Sequence, residues 1–205
     1  LYKIEETDEC SLKFLNKNGF VLKENYLSSN DVDLIKNFLI HKCQGKYESD
    51  NFRDFQLQKV NLNKPLATTF RYDTNEILES EKIQNIIIDP KILSLCQSYF
   101  KTIPIIDVVS SWWSFPSNIP DNYSAQYWHY DLDRPQWLKM FIFLTNCGEK
   151  NGAHKFIKNS HRILNKKFLR KGYVRIEDEI IKDNFQKDKI IMMSAKQGSV
   201  LIEDT

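Results

Sequence analysis

The sequence predicts a mainly β fold with helices in its N-terminal half, and three observations support this prediction. Amphipathic runs with helix-start signals fall within about the first hundred residues. From Ile103 onward, short runs rich in Val, Ile, Trp, Phe and Tyr alternate with Pro, Asn, Asp and Gly, which is typical of strands and turns. The 205 residues are 41% apolar, enough for one hydrophobic core, so we expect a single domain over residues 1–205.

Three helices are predicted from local signals. In SLKFLNKNGF, apolar residues share a stripe and Gly19 stands where a C-terminal cap is expected; a short strand, GFVLKENYL, follows. Ser28 begins an N-cap signal ahead of a run with one apolar face, and Pro90 opens the helix PKILSLCQSYF. Residues 44–75 are polar and weakly patterned, so we expect loops with one short strand there. The apolar face of the second helix consists of Val32, Ile35, Phe38 and Leu39.

Five segments of the second half are the candidate strands. Residues 163–189 interrupt them with alternating basic and acidic side chains, and we expect loop and helix there, as a lid over a site or as a solvated connection. The candidate strands are IIDVVSSWWSF, AQYWHYD, WLKMFIFLTN, AHKFI and SVLIED.

Composition argues against several classes of protein. The 29 basic and 27 acidic residues are spread along the chain with a net charge of +2, so nothing indicates a nucleic-acid binder. No stretch approaches the roughly 20 apolar residues of a membrane span, so we expect no membrane association. The cysteines are scattered and suggest neither a zinc knuckle nor a disulfide framework, so we predict a cytoplasmic protein. They are Cys10, Cys43, Cys96 and Cys147.

The stretch AQYWHYDLDRP contains the candidate site. If it is a β-strand, His129 and Asp131 leave the same face, because side chains alternate with period two. An imidazole and a carboxylate are two of the three ligands of a 2-His-1-carboxylate Fe(II) site, which leaves positions open for a co-substrate and dioxygen. The alternative is a hydrogen-bonded His–Asp pair without metal, which is the commoner role of an isolated His-x-Asp.

Four pieces of the chain resemble, in order, the phytanoyl-CoA dioxygenase-like family of Fe(II)/2-oxoglutarate-dependent oxygenases. They are NGFVLKENYLSSNDVDLIKNF, QYWHYD, WLKMFIFLTNCGEKNGAHKFIKNSHR and GSVLIEDT. The resemblance implies a double-stranded β-helix, a jelly-roll or cupin-like fold, with helices over about residues 1–100 and the barrel core over about residues 103–205. It implies that His129 and Asp131 bind iron, that Asn151-Gly152 forms a turn between barrel strands, and that Ser160-His161-Arg162 closes the next strand.

The resemblance also places two residues after the end of this sequence. A distal iron-binding histidine comes a few residues after the pair that here is Asp204-Thr205, and an arginine that binds 2-oxoglutarate follows it. We therefore expect that the C-terminal end is missing from this sequence; the alternative is a chain that has lost its third ligand. His154 and His161 are poor substitutes as ligands. Related halogenases carry a small residue at the position of Asp131, so a carboxylate here favours hydroxylation.

Two further residues are weaker candidates for binding the co-substrate. Gln126 matches a position that often lies near 2-oxoglutarate, although a surface glutamine is at least as plausible. Lys139 lies in an otherwise apolar strand and needs a partner, for which a 2-oxoglutarate carboxylate is one option and solvent at the barrel mouth another. Four tryptophans are expected to cluster around the site, as a substrate pocket or as core. They are Trp112, Trp113, Trp128 and Trp137.

The predicted function is an Fe(II)- and 2-oxoglutarate-dependent dioxygenase that uses O2 to hydroxylate a small organic molecule. The alternative is a non-catalytic jelly-roll module that binds a sugar or metabolite. A metal-dependent hydrolase is disfavoured, because no HxxxH or HxHxDH cluster is present. The sequence identifies neither the substrate nor the oligomeric state.

Overall fold

The computed structural model describes residues 8–48, 55–115, 127–129, 131, 136–162 and 175–204. Its elements, in chain order, are α1 (Glu9–Asn18), β1 (Phe20–Lys23), α2 (Ser29–His41), β2 (Gly45–Glu48), β3 (Phe55–Gln58), β4 (Thr69–Tyr72), α3 (Thr74–Leu78), α4 (Glu81–Ile87), α5 (Pro90–Phe100), β5 (Trp112–Ser114), β6 (Trp128–His129), β7 (Leu138–Ile142), β8 (His154–Ile157), β9 (Arg175–Ile176), α6 (Asp178–Asn184), β10 (Ile190–Met193) and β11 (Val200–Asp204). Short 3₁₀ turns cover Glu149–Asn151, Ser160–Arg162 and Lys187–Lys189.

The chain divides into two compact units. The first comprises Leu1–Tyr26, Pro90–Pro104 and Pro120–Thr205, and the second comprises Leu27–Asp89 and Ile105–Ile119. The first unit therefore contains the His-x-Asp stretch. The prediction of a single domain over residues 1–205 stays a prediction.

In the first unit, β11 is the central strand of an antiparallel sheet with the order β1–β11–β7. Its two faces pack into two different cores, because successive side chains of a strand point to opposite sides. Val200 and Ile202 contact a core that includes Leu15 of α1 and Leu95 of α5. Leu201 points the other way, into the core that joins this sheet to the β10–β8 sheet. This second core contains Phe20, Phe156 and Met193.

The second unit is built on a sheet with the strand order β3–β2–β4–β5. One face carries Phe70, Tyr72 and Trp113, all of which are buried. The indole Nε1 of Trp113 donates a hydrogen bond of 2.9 Å to the hydroxyl of Tyr72, so this polar pair is satisfied within the core. Burial raises the pKa of Tyr72 to about 12, so its hydroxyl keeps its proton at neutral pH.

The helix-start and helix-stop signals are confirmed. The hydroxyl of Ser28 accepts a hydrogen bond from the backbone N–H of Asp31 at the start of α2. Helix α5 begins at Pro90. Proline lacks a backbone N–H, which costs nothing here because N–H groups in the first turn of a helix have no intrahelical acceptor. Helix α1 ends at Gly19, which has a φ of +84° and donates its N–H to the carbonyl of Leu15.

Sequence patterns were less informative between the helices and in the longest strand candidate. The prediction of loops with a short strand in residues 44–75 is confirmed in part, because three short strands, β2, β3 and β4, lie there; β3 has no buried side chain, so it shows no apolar alternation. The candidate IIDVVSSWWSF is a strand only at Trp112–Ser114, and Ile105 is 89% exposed, because an apolar run without a partner strand does not join a sheet. The sequence patterns also failed to indicate β10, α3 and α4.

The strands WLKMFIFLTN, AHKFI and SVLIED are confirmed as β7, β8 and β11, and a helix, α6, lies in the segment 163–189. The described part of the chain combines helices with antiparallel sheets of two to four strands, and the jelly-roll arrangement stays a prediction. The term "mainly β" is therefore too narrow for it. Within the same ranges, no helix has both the length and the apolar character needed to cross a membrane.

Tyr99 ties α5 to the end of β11. Its hydroxyl donates a short hydrogen bond to Oδ2 of Asp204, and burial, followed by this bond to a carboxylate, raises the pKa of Tyr99. Replacing Tyr99 by Phe leaves the carboxylate without its donor, so we expect the free energy of unfolding to fall by about 1–2 kcal/mol in urea titrations. Tyr127→Phe, at an exposed position, is the control and should change it by less than about 0.5 kcal/mol. Equal losses in both variants would contradict a role for this bond.

Candidate functional site

His129 ends the two-residue strand β6, and its ring is held by the backbone. Nδ1 lies 2.8 Å from the carbonyl oxygen of Tyr127. Because a carbonyl only accepts hydrogen bonds, the hydrogen of a neutral imidazole is assigned to Nδ1, which leaves a lone pair on Nε2. A histidine oriented in this way by a carbonyl is the usual form of a metal-ligating histidine.

Asp131 follows two residues later, and its carboxylate is largely shielded from water. Its side chain is 12% exposed and its Oδ2 forms an ion pair with Nζ of Lys139 in β7. Lys139 was expected to need a partner for its charge, and Asp131 is one such partner. Whether Lys139 also binds a 2-oxoglutarate carboxylate stays a prediction, as does the convergence of His129 and Asp131 on one ion.

Other predicted site residues have mixed outcomes. Gln126 lies outside the described residues, so its assignment stays a prediction. The tryptophans are divided between the units: Trp112 and Trp113 belong to the second, and Trp128 and Trp137 to the first. Trp113 is a core residue, since it is buried and hydrogen-bonded to Tyr72.

Glu203 is a buried charged residue that the sequence patterns did not single out. It lies in β11, is 0% exposed, and shares the face of Leu201. His154 of β8, whose side chain is 34% exposed, places Nε2 3.0 Å from Oε2 of Glu203. This distance suits an ion pair with a protonated ring, whereas neither carboxylate oxygen of Glu203 has a hydrogen-bond partner among the described residues. The acidic residue in SVLIED, at an inward position of an apolar strand, was the available signal.

Glu203 and Lys139 are directly opposite each other on β11 and β7. Directly opposite residues of an antiparallel pair share a face, with Cβ atoms about 4.5–5.5 Å apart. Phe141, two residues after Lys139, contacts the ring of His154 with centroids 5.6 Å apart. Asp131, Lys139, Glu203 and His154 therefore follow one another along one side of the first unit, and we call these four residues the polar row.

His161 and its neighbours have the structural role that the sequence analysis expected. Ser160–Arg162 forms a 3₁₀ turn that follows β8, and Gly152 makes the preceding turn with a φ of +80°. The ring of His161 packs against Gly19, with Nε2 3.2 Å from the carbonyl oxygen of Asn16 and with Nδ1 buried without a hydrogen bond. The ring is thus used for packing between segments.

Burial lowers the pKa of His161, although the Asn16 carbonyl and the charge of Asp204 oppose this shift. The unfolded chain therefore takes up the proton first as the pH falls, so His161 should reduce the free energy of unfolding as the pH falls through about 6.5, the ordinary pKa of histidine. We expect His161→Phe to flatten this decline in urea titrations at several pH values. An unaltered slope in His161→Phe would contradict the prediction.

The described residues contain no group of three or more His, Cys, Asp and Glu side chains placed to hold a metal ion. The assignment of His129 and Asp131 as iron ligands stays a prediction.

No protein-family model matches the sequence, and no curated protein matches it either. Solved structures do resemble the fold. HygX from Streptomyces hygroscopicus, with nickel and 2-oxoglutarate bound, has a TM-score of 0.56 at 16% identity over 97% of this chain and 78% of that one. The non-haem α-ketoglutarate-dependent carbocyclase SnoK from nogalamycin biosynthesis has a TM-score of 0.56 at 13% identity over 98% and 75%.

The epimerase SnoN, in complex with Fe3+, α-ketoglutarate (2-oxoglutarate) and nogalamycin RO, has a TM-score of 0.52 at 11% identity over 96% of this chain and 73% of that one. At such identities the likeness concerns the fold. The chain thus has a fold similar to those of non-haem 2-oxoglutarate-dependent enzymes.

Proposed function

We propose that this chain is a non-haem Fe(II)- and 2-oxoglutarate-dependent dioxygenase, a cytoplasmic enzyme of the phytanoyl-CoA dioxygenase-like family with a jelly-roll core. The observation that carries the proposal is the combination of a fold similar to HygX, SnoK and SnoN with a His-x-Asp pair in the strand region at His129. The fold alone would not define the chemistry, because one fold serves many functions. The pair supplies the residue types that Fe(II) requires.

The side chains of the pair fit an iron ion. The Tyr127 carbonyl fixes Nδ1 of His129, so Nε2 is the nitrogen available to a metal. The carboxylate of Asp131 is already largely shielded from water, so binding a cation there costs less desolvation than it would at an exposed carboxylate. A 2-His-1-carboxylate site needs a second histidine in addition to this pair.

Bound Fe(II) would supply the activation of O2 that is coupled to the oxidation of 2-oxoglutarate. The roles of the chain's residues are to hold and to orient. His129 and Asp131 would hold the metal, and Lys139 and Gln126 would bind 2-oxoglutarate through its carboxylates. The apolar core beside the polar row, with Phe20, Phe156 and Leu201, would keep water away.

We propose hydroxylation of a small organic molecule as the outcome, because the carboxylate of Asp131 occupies the position that is small in related halogenases. A non-catalytic binding module is the competing function, and it differs from the enzyme in a single measurable property. An enzyme converts 2-oxoglutarate to succinate when Fe(II) and O2 are present, whereas a binding module does not.

The experiment is to incubate the full-length protein anaerobically with Fe(II) and 2-oxoglutarate, admit air, and measure succinate. Titration of 2-oxoglutarate into the Ni(II)-loaded protein by calorimetry provides a measure of binding that does not need the substrate. We expect succinate that depends on both Fe(II) and O2, and binding of 2-oxoglutarate that depends on Ni(II). If 2-oxoglutarate neither binds nor is consumed, the proposed function is wrong.

A further inference from the structure

We propose that Glu203 is a positioning residue of the proposed iron site, and that it receives the ammonium group of Lys139 when a metal ion binds to Asp131. This inference rests on the proposed function. It concerns how the polar row rearranges when metal binds. In this arrangement Lys139 competes with the metal for Asp131, and Glu203 reduces the cost of that competition.

The competition follows from the ion pair between Lys139 and Asp131. A carboxylate has two oxygens and can accept from two partners, so space alone does not exclude the lysine. Charge does oppose it, because a divalent ion and an ammonium on the same carboxylate would be like charges held close together, and these repel strongly in a shielded site. Metal binding at Asp131 therefore favours departure of the Lys139 ammonium.

Glu203 is the acceptor within reach. It stands directly opposite Lys139 on the neighbouring strand and on the same face, so the long lysine side chain can turn from one carboxylate to the other without a change in the backbone. Within its own sheet its other neighbours on that face are apolar, since Phe20 lies opposite it on β1 and Leu201 precedes it on β11, while His154 of β8 faces it. The rearrangement is thus a change of partner along the polar row.

The state of Glu203 supports this role. A buried carboxylate without a hydrogen-bond donor is costly, and each one in a native protein requires a reason. Both oxygens of Glu203 lack a hydrogen-bond partner among the described residues, and Nε2 of His154 lies 3.0 Å from Oε2. Transfer of the ammonium would satisfy Glu203 at the same step that releases Asp131 from Lys139, so one movement accounts for both features.

The test is the affinity of the metal-free full-length protein for Ni(II), measured by calorimetry without 2-oxoglutarate. Lys139→Met removes the competitor, and we expect Ni(II) to bind roughly three- to tenfold more tightly than to the wild type, which is the size of effect that loss of a partly shielded ion pair allows. Glu203→Gln removes the acceptor, and we expect binding to weaken by roughly the same factor. In the double variant Lys139→Met/Glu203→Gln, the effect of the glutamine should vanish, because no ammonium remains to be received.

Two outcomes would overturn the inference. If Lys139→Met binds Ni(II) more weakly, Lys139 orients Asp131 as a supporting hydrogen-bond donor instead of competing. If Glu203→Gln weakens Ni(II) binding equally in the presence and in the absence of Lys139, Glu203 affects the site through the stability of the fold and does not receive the Lys139 ammonium. Lys23→Met is the matched control, because Lys23 is also largely shielded and paired with a carboxylate, that of Asp8 at 2.8 Å, and should not alter Ni(II) affinity.

The proposed function fails separately from this inference. If the wild type binds no Ni(II), or if His129→Ala binds it as tightly as the wild type does, the iron site itself is wrong. If Ni(II) binds through His129 but the variants of Lys139 and Glu203 do not follow the expected order, only the exchange of partners is wrong. Should Glu203→Gln not fold, Glu203→Met gives the same comparison, because an apolar side chain of similar length leaves no unsatisfied group in the core.

Discussion

Replacing Asp131 by alanine is expected to lower the Fe(II)-dependent release of succinate by roughly a hundredfold or more. The reason is that loss of a residue that only supports a ligand already costs about 10–100-fold in metal affinity or activity, and Asp131 is proposed as the ligand itself. The same variant also removes the ion-pair partner of Lys139, which lies in β7. Succinate formed from 2-oxoglutarate, measured over a range of Fe(II) concentrations, provides the readout.

Two comparisons separate this effect from a general loss of folding. Asp188→Ala removes an exposed carboxylate in the same unit and should retain the wild-type rate. Circular dichroism should show that Asp131→Ala keeps its secondary structure. Equal turnover by the wild type and by Asp131→Ala would exclude Asp131 as an iron ligand and would favour the binding-module alternative.

Replacing Gly19 by alanine is expected to reduce the free energy of unfolding by about 2–5 kcal/mol, combining a left-handed conformation that costs an L-residue about 1–2 kcal/mol with overpacking worth about 1–3 kcal/mol. Gly19 has a φ of +84°, and a Cβ atom there would lie 2.5 Å from Nδ1 of His161 and 3.1 Å from Cζ of Phe156. The loss is a large fraction of the roughly 5–15 kcal/mol that holds a domain folded. Urea titration followed by circular dichroism measures it.

Gly152→Ala separates the two contributions to this loss. Gly152 also has a left-handed backbone, with a φ of +80°, but no atom lies within 4 Å of the position of an added Cβ. We therefore expect only the conformational cost, about 1–2 kcal/mol. If both alanine variants lose the same stability, the close contact between Gly19 and His161 contributes nothing.

The features of the fold that could be predicted from the sequence are those encoded within a few residues. Ser28, Pro90 and Gly19 mark helix ends because each acts on the backbone next to it, through a hydroxyl acceptor, a fixed φ or a free left-handed conformation. The strands β7 and β11 were evident because each contains a run of apolar residues that is visible in the sequence. Short or exposed strands such as β3 depend on their neighbours, so their own residues give little indication.

The candidate site was predictable only in part for the same reason. The spacing of His129 and Asp131 is visible in a single segment, whereas the partners of Asp131 and His154 come from other strands. The alternation in SVLIED could place Glu203 on the face of Leu201, but no pattern in the sequence indicates that β8 lies across from that face. The polar row is therefore a product of tertiary packing.

The two-sided burial of β11 also has a consequence for strand pairing during folding. A slip of one residue against β1 and β7 would turn Glu203 toward the aliphatic side chains under α1 and α5, and would turn Ile202 to the opposite side. An acidic group forced among Leu15, Val21 and Leu95 would lie among aliphatic side chains, so the misaligned pairing is penalised more than it would be for an all-apolar strand. Glu203 thus disfavours the shifted register. An apolar residue at this position would raise the free energy of unfolding, but it would also reduce the free-energy difference between the correct and the shifted register.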